Sequence, residues 1–256
     1  MPTAPTPFWP KGVPHALRVP QVPLTHYLET AARRYPDKPA VVFGAAVLTY
    51  AQLLARTEAL AGYLVQRLGV QHGDRVLLMS QNCPQYFAAY YGIMRAGAVV
   101  VPVNAMSTAS EVAYYMDNSG ARVALVAQEL LPQVLPNMRP ASANGLEAVL
   151  VHAYSEVLAN PPADEELPEV VLAPRQRLEA PGLQGLEEAI ALQLAPPAAH
   201  PDVNDLCVLP YTSGTTGHPK GCMHSHATVL ASNMASQVWR GLHTDSVFPV
   251  SYTHLT

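Results

Sequence analysis

The chain is poor in charge. Only 13% of its 256 residues are Asp, Glu, Lys or Arg, and 15 basic residues face 19 acidic ones, for a formal net charge of −4. A nucleic-acid surface needs a clustered basic face; here Lys and Arg are few and scattered, so no nucleic-acid partner is expected. Cysteine is scarce too. Cys83, Cys207 and Cys222 are far apart and odd in number, which argues against a disulfide framework and fits a reducing compartment. No long hydrophobic run exists: the most apolar stretch, residues 96–103, falls well short of the roughly twenty residues of a membrane span. Residues 1–10 are rich in Pro and Thr and lack an apolar segment after a basic one, which speaks against a signal peptide. Internal repeats are lacking as well. These absences lead to the expectation of a cytoplasmic chain without a transmembrane segment. Its 49% hydrophobic content suffices for one large core or two small ones and does not fit a disordered chain.

Proline, by contrast, is plentiful at 25 residues, and its placement organises the chain. Residues 1–23 read as an extended arm. A helix is predicted from Thr25, with its hydroxyl as the N-cap and Pro36 closing it. Residues 40–43 and 47–49, with Gly44 between them, read as a hairpin. Leu53, Leu54, Leu60, Leu64 and Leu68 repeat at helical spacing within 50–68, and Gly69 ends that helix. From 75 to 127 the pattern alternates strand, helix, strand, helix, strand. The strands are continuous apolar runs, which points to a mostly parallel sheet covered on both faces, an α/β architecture. Between 132 and 201 prolines interrupt the signal; 149–151 reads as a strand and 186–194 as a helix inside a Pro-rich insertion or connector. Order returns with a buried strand at 206–210, a helix over 225–239 and a strand over 246–250.

The loop after that buried strand carries the chemistry. It reads Tyr211-Thr212-Ser213-Gly214-Thr215-Thr216-Gly217-His218-Pro219-Lys220-Gly221. Thr212, Ser213, Thr215 and Thr216 supply hydroxyls, and Gly214, Gly217 and Gly221 permit positive φ and close backbone approach. Lys220 supplies a cation. The loop follows an apolar strand, where open α/β sheets place ligands. Backbone N–H groups, hydroxyls and a lysine are what a polyphosphate requires. A P-loop is rejected by spacing, because two residues separate Gly217 from Lys220 and Gly221 follows the lysine. A dinucleotide fingerprint is rejected because no GxGxxG follows the first strand of a βαβ unit.

This loop resembles the signature of the adenylate-forming superfamily, which includes acyl-CoA synthetases, firefly luciferases and peptide-synthetase adenylation domains. Every defined position of that signature is present. Leu48-Thr49-Tyr50-Ala51-Gln52-Leu53, Gly73-Asp74-Arg75-Val76 and Asn82-Cys83-Pro84-Gln85-Tyr86-Phe87 are similar to upstream family segments, as is the stretch 89–104. The resemblance covers 24–250 and is most like medium- and long-chain fatty-acyl-CoA synthetases. It implies that a carboxylate attacks the α-phosphate of ATP, that pyrophosphate leaves an acyl-adenylate, and that a thiol such as that of CoA then displaces AMP. It implies that Thr212, Ser213, Gly214, Thr215, Thr216 and Gly217 cover the β- and γ-phosphates, with Lys220 supplying positive charge. It also implies Mg²⁺, which Thr212 would approach, and an acyl substrate that could draw the protein to a membrane surface. The oligomeric state is not readable.

The same resemblance makes residues 24–256 an incomplete N-terminal AMP-binding domain. The family's C-terminal domain is absent, a partly exposed core is expected, and the chain is expected to be inactive alone. Two other readings stay open: a nucleotide-binding fragment without chemistry, and an adenylation domain that loads a carrier-protein thiol. Residues 251–256 depart from the family pattern and do not look native. His218, His224 and His226 lie near Cys222 but match no zinc spacing. Cys83 and Cys222 read as inert thiols, the pair Tyr90 and Tyr91 as core, and Glu129 and the run 164–166 as solvated charges.

Overall fold

The computed structural model describes residues 9–10, 12–138, 145–158, 167–212 and 217–249. Helix α1 (Thr25–Arg34) leads into the antiparallel hairpin β1 (Pro39–Phe43) and β2 (Ala46–Thr49). The N-cap of α1 is Leu24, without a side-chain cap, and Thr25 is buried as the first helical residue. That corrects the reading of Thr25 as the cap. Thr49 does cap α2 (Tyr50–Gln66): its hydroxyl accepts from the Gln52 N–H while the Gln52 side chain accepts from the Thr49 N–H. This capping box satisfies two donors the first turn would otherwise strand.

The alternating core then follows, with β3 (Arg75–Met79), α3 (Pro84–Arg95), β4 (Val99–Val103), α4 (Ala109–Ser119) and β5 (Val123–Ala127). Pro84 occupies the first turn of α3, where its missing N–H costs nothing, and Gly120 closes α4 in the left-handed conformation at φ 70°. A short helix α5 (Leu131–Val134) precedes β6 (Ala148–His152), and α6 (Glu169–Leu172), β7 (Leu183–Gly185) and α7 (Leu186–Ala191) follow. After them come β8 (Leu206–Val208), β9 (Tyr211–Thr212), β10 (Lys220–Gly221), β11 (His224–Ser225) and α8 (His226–Arg240).

One seven-stranded sheet organises the molecule, in the order β11-β8-β4-β3-β5-β6-β7, and all its pairings are parallel except β11 with β8. The stretch 132–201 therefore places two strands in this sheet, and β6 is buried along its whole length. Both faces are covered. Leu60, Leu64, Leu78, Ile93 and Leu150 form the core on one side; Leu77, Val101, Val112, Met116 and Val126 form it on the other. Each fully buried aliphatic side chain there is worth about 1.5–3 kcal/mol of transfer free energy. The strand expected over 246–250 does not form: 246–249 carry no regular structure, Val247 and Phe248 are exposed, and Val250 lies outside the described residues. Apolar composition makes a strand only when a neighbour accepts its ladder, and these residues have no strand partner among the described ones. No helix among the described residues is long and apolar enough to cross a membrane.

Candidate active site

The site is built where β8 leaves the sheet. The Leu209 N–H donates to the Val100 carbonyl at 2.8 Å, which holds the exit of β8 beside β4. The chain then turns into a two-residue antiparallel ladder in which Tyr211 pairs with Gly221 and Thr212 with Lys220. Directly paired residues share one face of a ladder, with Cβ atoms about 4.5–5.5 Å apart. The Thr212 hydroxyl and the Lys220 ammonium thus leave the same side of the ribbon, and both residues are exposed. Ser213, Gly214, Thr215 and Thr216, the other phosphate-loop candidates, lie outside the described residues. Gly217, on the return arm, has a φ of 119°, which disfavours any side chain. Gly221 is closely packed, since a Cβ there would meet Leu209 Cδ1 at 3.1 Å and the Tyr211 ring at 3.3 Å.

Helix α4 supports this hairpin from beneath. The Tyr114 hydroxyl donates to the Pro219 carbonyl at 2.7 Å, and its ring stacks on His218 with centroids 5.2 Å apart. The Tyr211 hydroxyl donates to Asn118 Oδ1 at 2.7 Å, and the Tyr115 and Tyr211 rings lie 4.7 Å apart. Burial raises the pKa of the Tyr115 and Tyr211 hydroxyls, so both remain neutral donors at ordinary pH. Sequence reasoning missed Tyr114 and Asn118, because their partners lie 105 and 93 residues away along the chain.

Lys220 makes no ion pair among the described residues, so its charge is free to meet an anion. No group of three or more His, Cys, Asp or Glu side chains able to hold a metal exists among the described residues. Mg²⁺ needs near-octahedral oxygen ligation and is commonly held by substrate phosphates and water with one or two protein groups. The exposed Thr212 hydroxyl fits one such position and no more. The nearby histidines are accounted for differently. His226 opens α8, is buried, and accepts the Leu24 N–H on Nδ1 at 3.2 Å; burial pushes its pKa down to about 4. Cys222 lies 3.7 Å from the Thr212 hydroxyl. Cys83 caps α3, and burial raises its thiol to about 11, so it is inert.

A second polar group lies farther along the same edge of the sheet. His152 Nε2 sits 3.1 Å from Ser80 Oγ, and the Tyr154 hydroxyl donates to Glu129 at 2.6 Å. Glu129 is therefore half-buried and bonded, where a solvated charge was expected.

The AMP-binding enzyme family model matches residues 28–255. A long-chain-fatty-acid–CoA ligase of Bacillus subtilis (strain 168) is 31% identical over 243 residues, which is 90% of this chain and 41% of that relative. Among solved structures, a long-chain-fatty-acid-CoA ligase from Archaeoglobus fulgidus superposes with a TM-score of 0.68 at 24% identity, covering 92% of this chain and 43% of that one. The anthranilate CoA ligase AuaEII, in complex with anthranoyl-AMP, superposes at 0.62 with 25% identity over 82% of this chain and 36% of that one. This chain thus spans well under half the length of each. The mostly parallel sheet flanked by helices is the fold these ligases share with it. With the family model covering nearly its whole length, the chain belongs to the AMP-binding enzyme family.

Proposed function

We propose that the protein carrying this chain is an ATP-dependent, AMP-forming acid–thiol ligase acting on a fatty acid. The observation that carries this reading is the register of the hairpin, which puts a hydroxyl and an ammonium without an ion-pair partner among the described residues side by side at the end of a parallel sheet. The named activity of the Bacillus subtilis relative supports the fatty-acid substrate and CoA as acceptor. The anthranoyl-AMP held by AuaEII supports an acyl-adenylate intermediate.

In the first step a carboxylate oxygen bonds to the α-phosphorus of ATP as the bond to the bridging oxygen of pyrophosphate breaks. Two anions must meet, so the work of the protein is charge neutralisation and positioning. Lys220 offsets charge on the departing pyrophosphate. Thr212, Ser213, Gly214, Thr215, Thr216 and Gly217 offer hydroxyl and backbone contacts to its oxygens. Mg²⁺, when bound, neutralises phosphate charge further, with Thr212 as its neighbour on this chain. In the second step the thiol sulfur bonds to the acyl carbon, AMP leaves with the bonding pair, and the thiol proton passes to solvent. The share of the relatives that this chain spans supports a division of labour. These residues serve the phosphates; the remaining contacts to nucleotide and acid come from other parts of the protein.

The test is acid-dependent ATP–pyrophosphate exchange by the protein carrying this chain at the length of its relatives, with fatty and aromatic acids compared. Lys220→Ala is expected to lower exchange about tenfold to a hundredfold, the range of a charged hydrogen bond, while the KM for the acid stays within about twofold of wild type, as expected for a contact to the phosphates and not to the acid. Exchange untouched by the substitution removes Lys220 from the mechanism. Exchange supported only by aromatic acids corrects the substrate, and none with any acid sinks the reading.

A further inference from the structure

The hairpin that carries Thr212 and Lys220 is short. Among the described residues two residue pairs make its ladder, and a two-stranded ribbon is marginal even when longer. Something else must set its geometry. Tyr114 and Asn118 stand at i and i+4 on α4, so they project from one face of the helix. The opposite face carries the buried Val112, Met116 and Ser119, which fasten α4 to the sheet. A capping box between Thr108 and Glu111 and the left-handed Gly120 fix the two ends of the helix. The platform is therefore anchored at both ends and along its buried face.

Each residue holds a different arm. Asn118 Oδ1 accepts from the hydroxyl of Tyr211, the residue before Thr212. The Tyr114 hydroxyl donates to the carbonyl of Pro219, the residue before Lys220, and the same ring stacks on His218 at an interplanar angle of 21°. Pro219 has no N–H, so its carbonyl is the one backbone hook it offers. That carbonyl belongs to the peptide plane leading into Lys220, and planarity passes its orientation on to the lysine.

We propose that Tyr114 and Asn118 are positioning residues that grip both arms of the hairpin and set the direction of Thr212 and Lys220 for the nucleotide phosphates. The assignment of phosphates rests on the function proposed above; the grip itself does not. A displacement of about 1 Å at a reacting group can cost as much as a hundredfold in rate, so a hydroxyl that never touches substrate can still govern turnover.

The experiment pairs two readouts on wild type, Tyr114→Phe, Asn118→Ala and Tyr115→Phe, each in the protein carrying this chain at the length of its relatives. The last variant removes a hydroxyl that bonds to Ser107 and reaches neither arm, and it keeps the ring that packs on Tyr211. The first readout is cleavage at the Lys220–Gly221 bond by a lysine-specific protease, located by mass spectrometry. The second is acid-dependent pyrophosphate exchange. Tyr114→Phe is expected to speed the cleavage about three- to tenfold, the scale of one neutral hydrogen bond. It should also raise the KM for ATP and lower kcat by a similar factor, with the KM for the acid unchanged. Asn118→Ala should act in the same direction, and Tyr115→Phe should leave both readouts at wild-type values. Faster cleavage with unchanged exchange kinetics would make the grip merely structural and overturn the positioning role. Unchanged cleavage and exchange would overturn the grip as well. Wild type without exchange in any acid, but with faster cleavage in Tyr114→Phe, would refute the proposed function and leave the grip standing.

Discussion

At the scale of single residues, a sharp electrostatic feature lies away from the hairpin of β9 and β10. His152 closes β6 with 2% of its surface exposed, against Ser80 and the Tyr154 ring. Burial, with the nearby positive charge of Arg56 adding to it, pushes its pKa down to about 3. An unfolded histidine titrates near 6.5. Between those values the unfolded chain binds a proton that the folded chain refuses, so stability is full above about pH 6.5 and falls as the pH drops towards about 3. The slope for one such proton is about 1.4 kcal/mol per pH unit. Melting temperature should therefore decline between pH 6.5 and 4, and His152→Gln should flatten that decline. An identical slope in the variant would show that His152 is not the group that resists protonation. His226, depressed to about 4, adds to the same window and is the second variant to make. Neither histidine was legible from spacing, because the Ser80 partner is 72 residues distant and the Leu24 partner 202. The motif over 211–221 stood out because it is eleven consecutive residues, where adjacency in sequence stands in for contact in space.

At the scale of elements, legibility followed the same logic. The units from β3 to β5 were readable because strong local signals agree: continuous apolar strands, Pro84 at a helix start and Gly120 at a helix end. The stretch 132–201 read poorly because its elements are short and its anchoring is tertiary. One such anchor is specific enough to test. Arg56 on α2 pairs with Glu187 on α7, Tyr63 bonds to Gln184, and Gln66 Nε2 donates to the Ala195 carbonyl at 2.7 Å. Gly62 sits among these residues, and a Cβ there would run into the Leu194 carbonyl and lie 2.6 Å from that of Ala195. Backbone cannot rotate away as a side chain can. Gly62→Ala should destabilise by about 1–3 kcal/mol, the usual range for overpacking. At about 2–4 °C per kcal/mol for a chain of this size, thermal melting would show a loss of several degrees. A rise in melting temperature, as an ordinary Gly→Ala change in a helix gives, would mean that 194–195 do not lie against α2.

At the scale of the whole molecule, the two cores and the hairpin of β9 and β10 meet at Tyr211, which packs against one of the cores. Apolar side chains on both faces of the sheet hold the chain together. The hairpin hangs from the exit of β8, tied by its own short ladder and by α4. Folding is therefore expected to proceed without nucleotide, and a bound polyphosphate should act on stability through linkage. A ligand at a hundred times its Kd adds about 2.7 kcal/mol, an upward shift of several degrees in melting temperature. ATP or pyrophosphate with Mg²⁺ should thus raise the melting temperature of the 256-residue chain in a saturable way. Lys220→Ala should weaken the effect, and so should added salt, since the contact is exposed and screened. The same chain, given ATP and a fatty acid, is expected to release no pyrophosphate: it spans only 41% of the Bacillus subtilis ligase, and the remaining contacts to nucleotide and acid are proposed to come from other parts of the protein. A saturable shift without release places the phosphate contacts in this chain and the completion of the site outside it. Sustained pyrophosphate release would show instead that these residues suffice for adenylation, and a melting temperature indifferent to ATP would take the nucleotide away from this hairpin altogether.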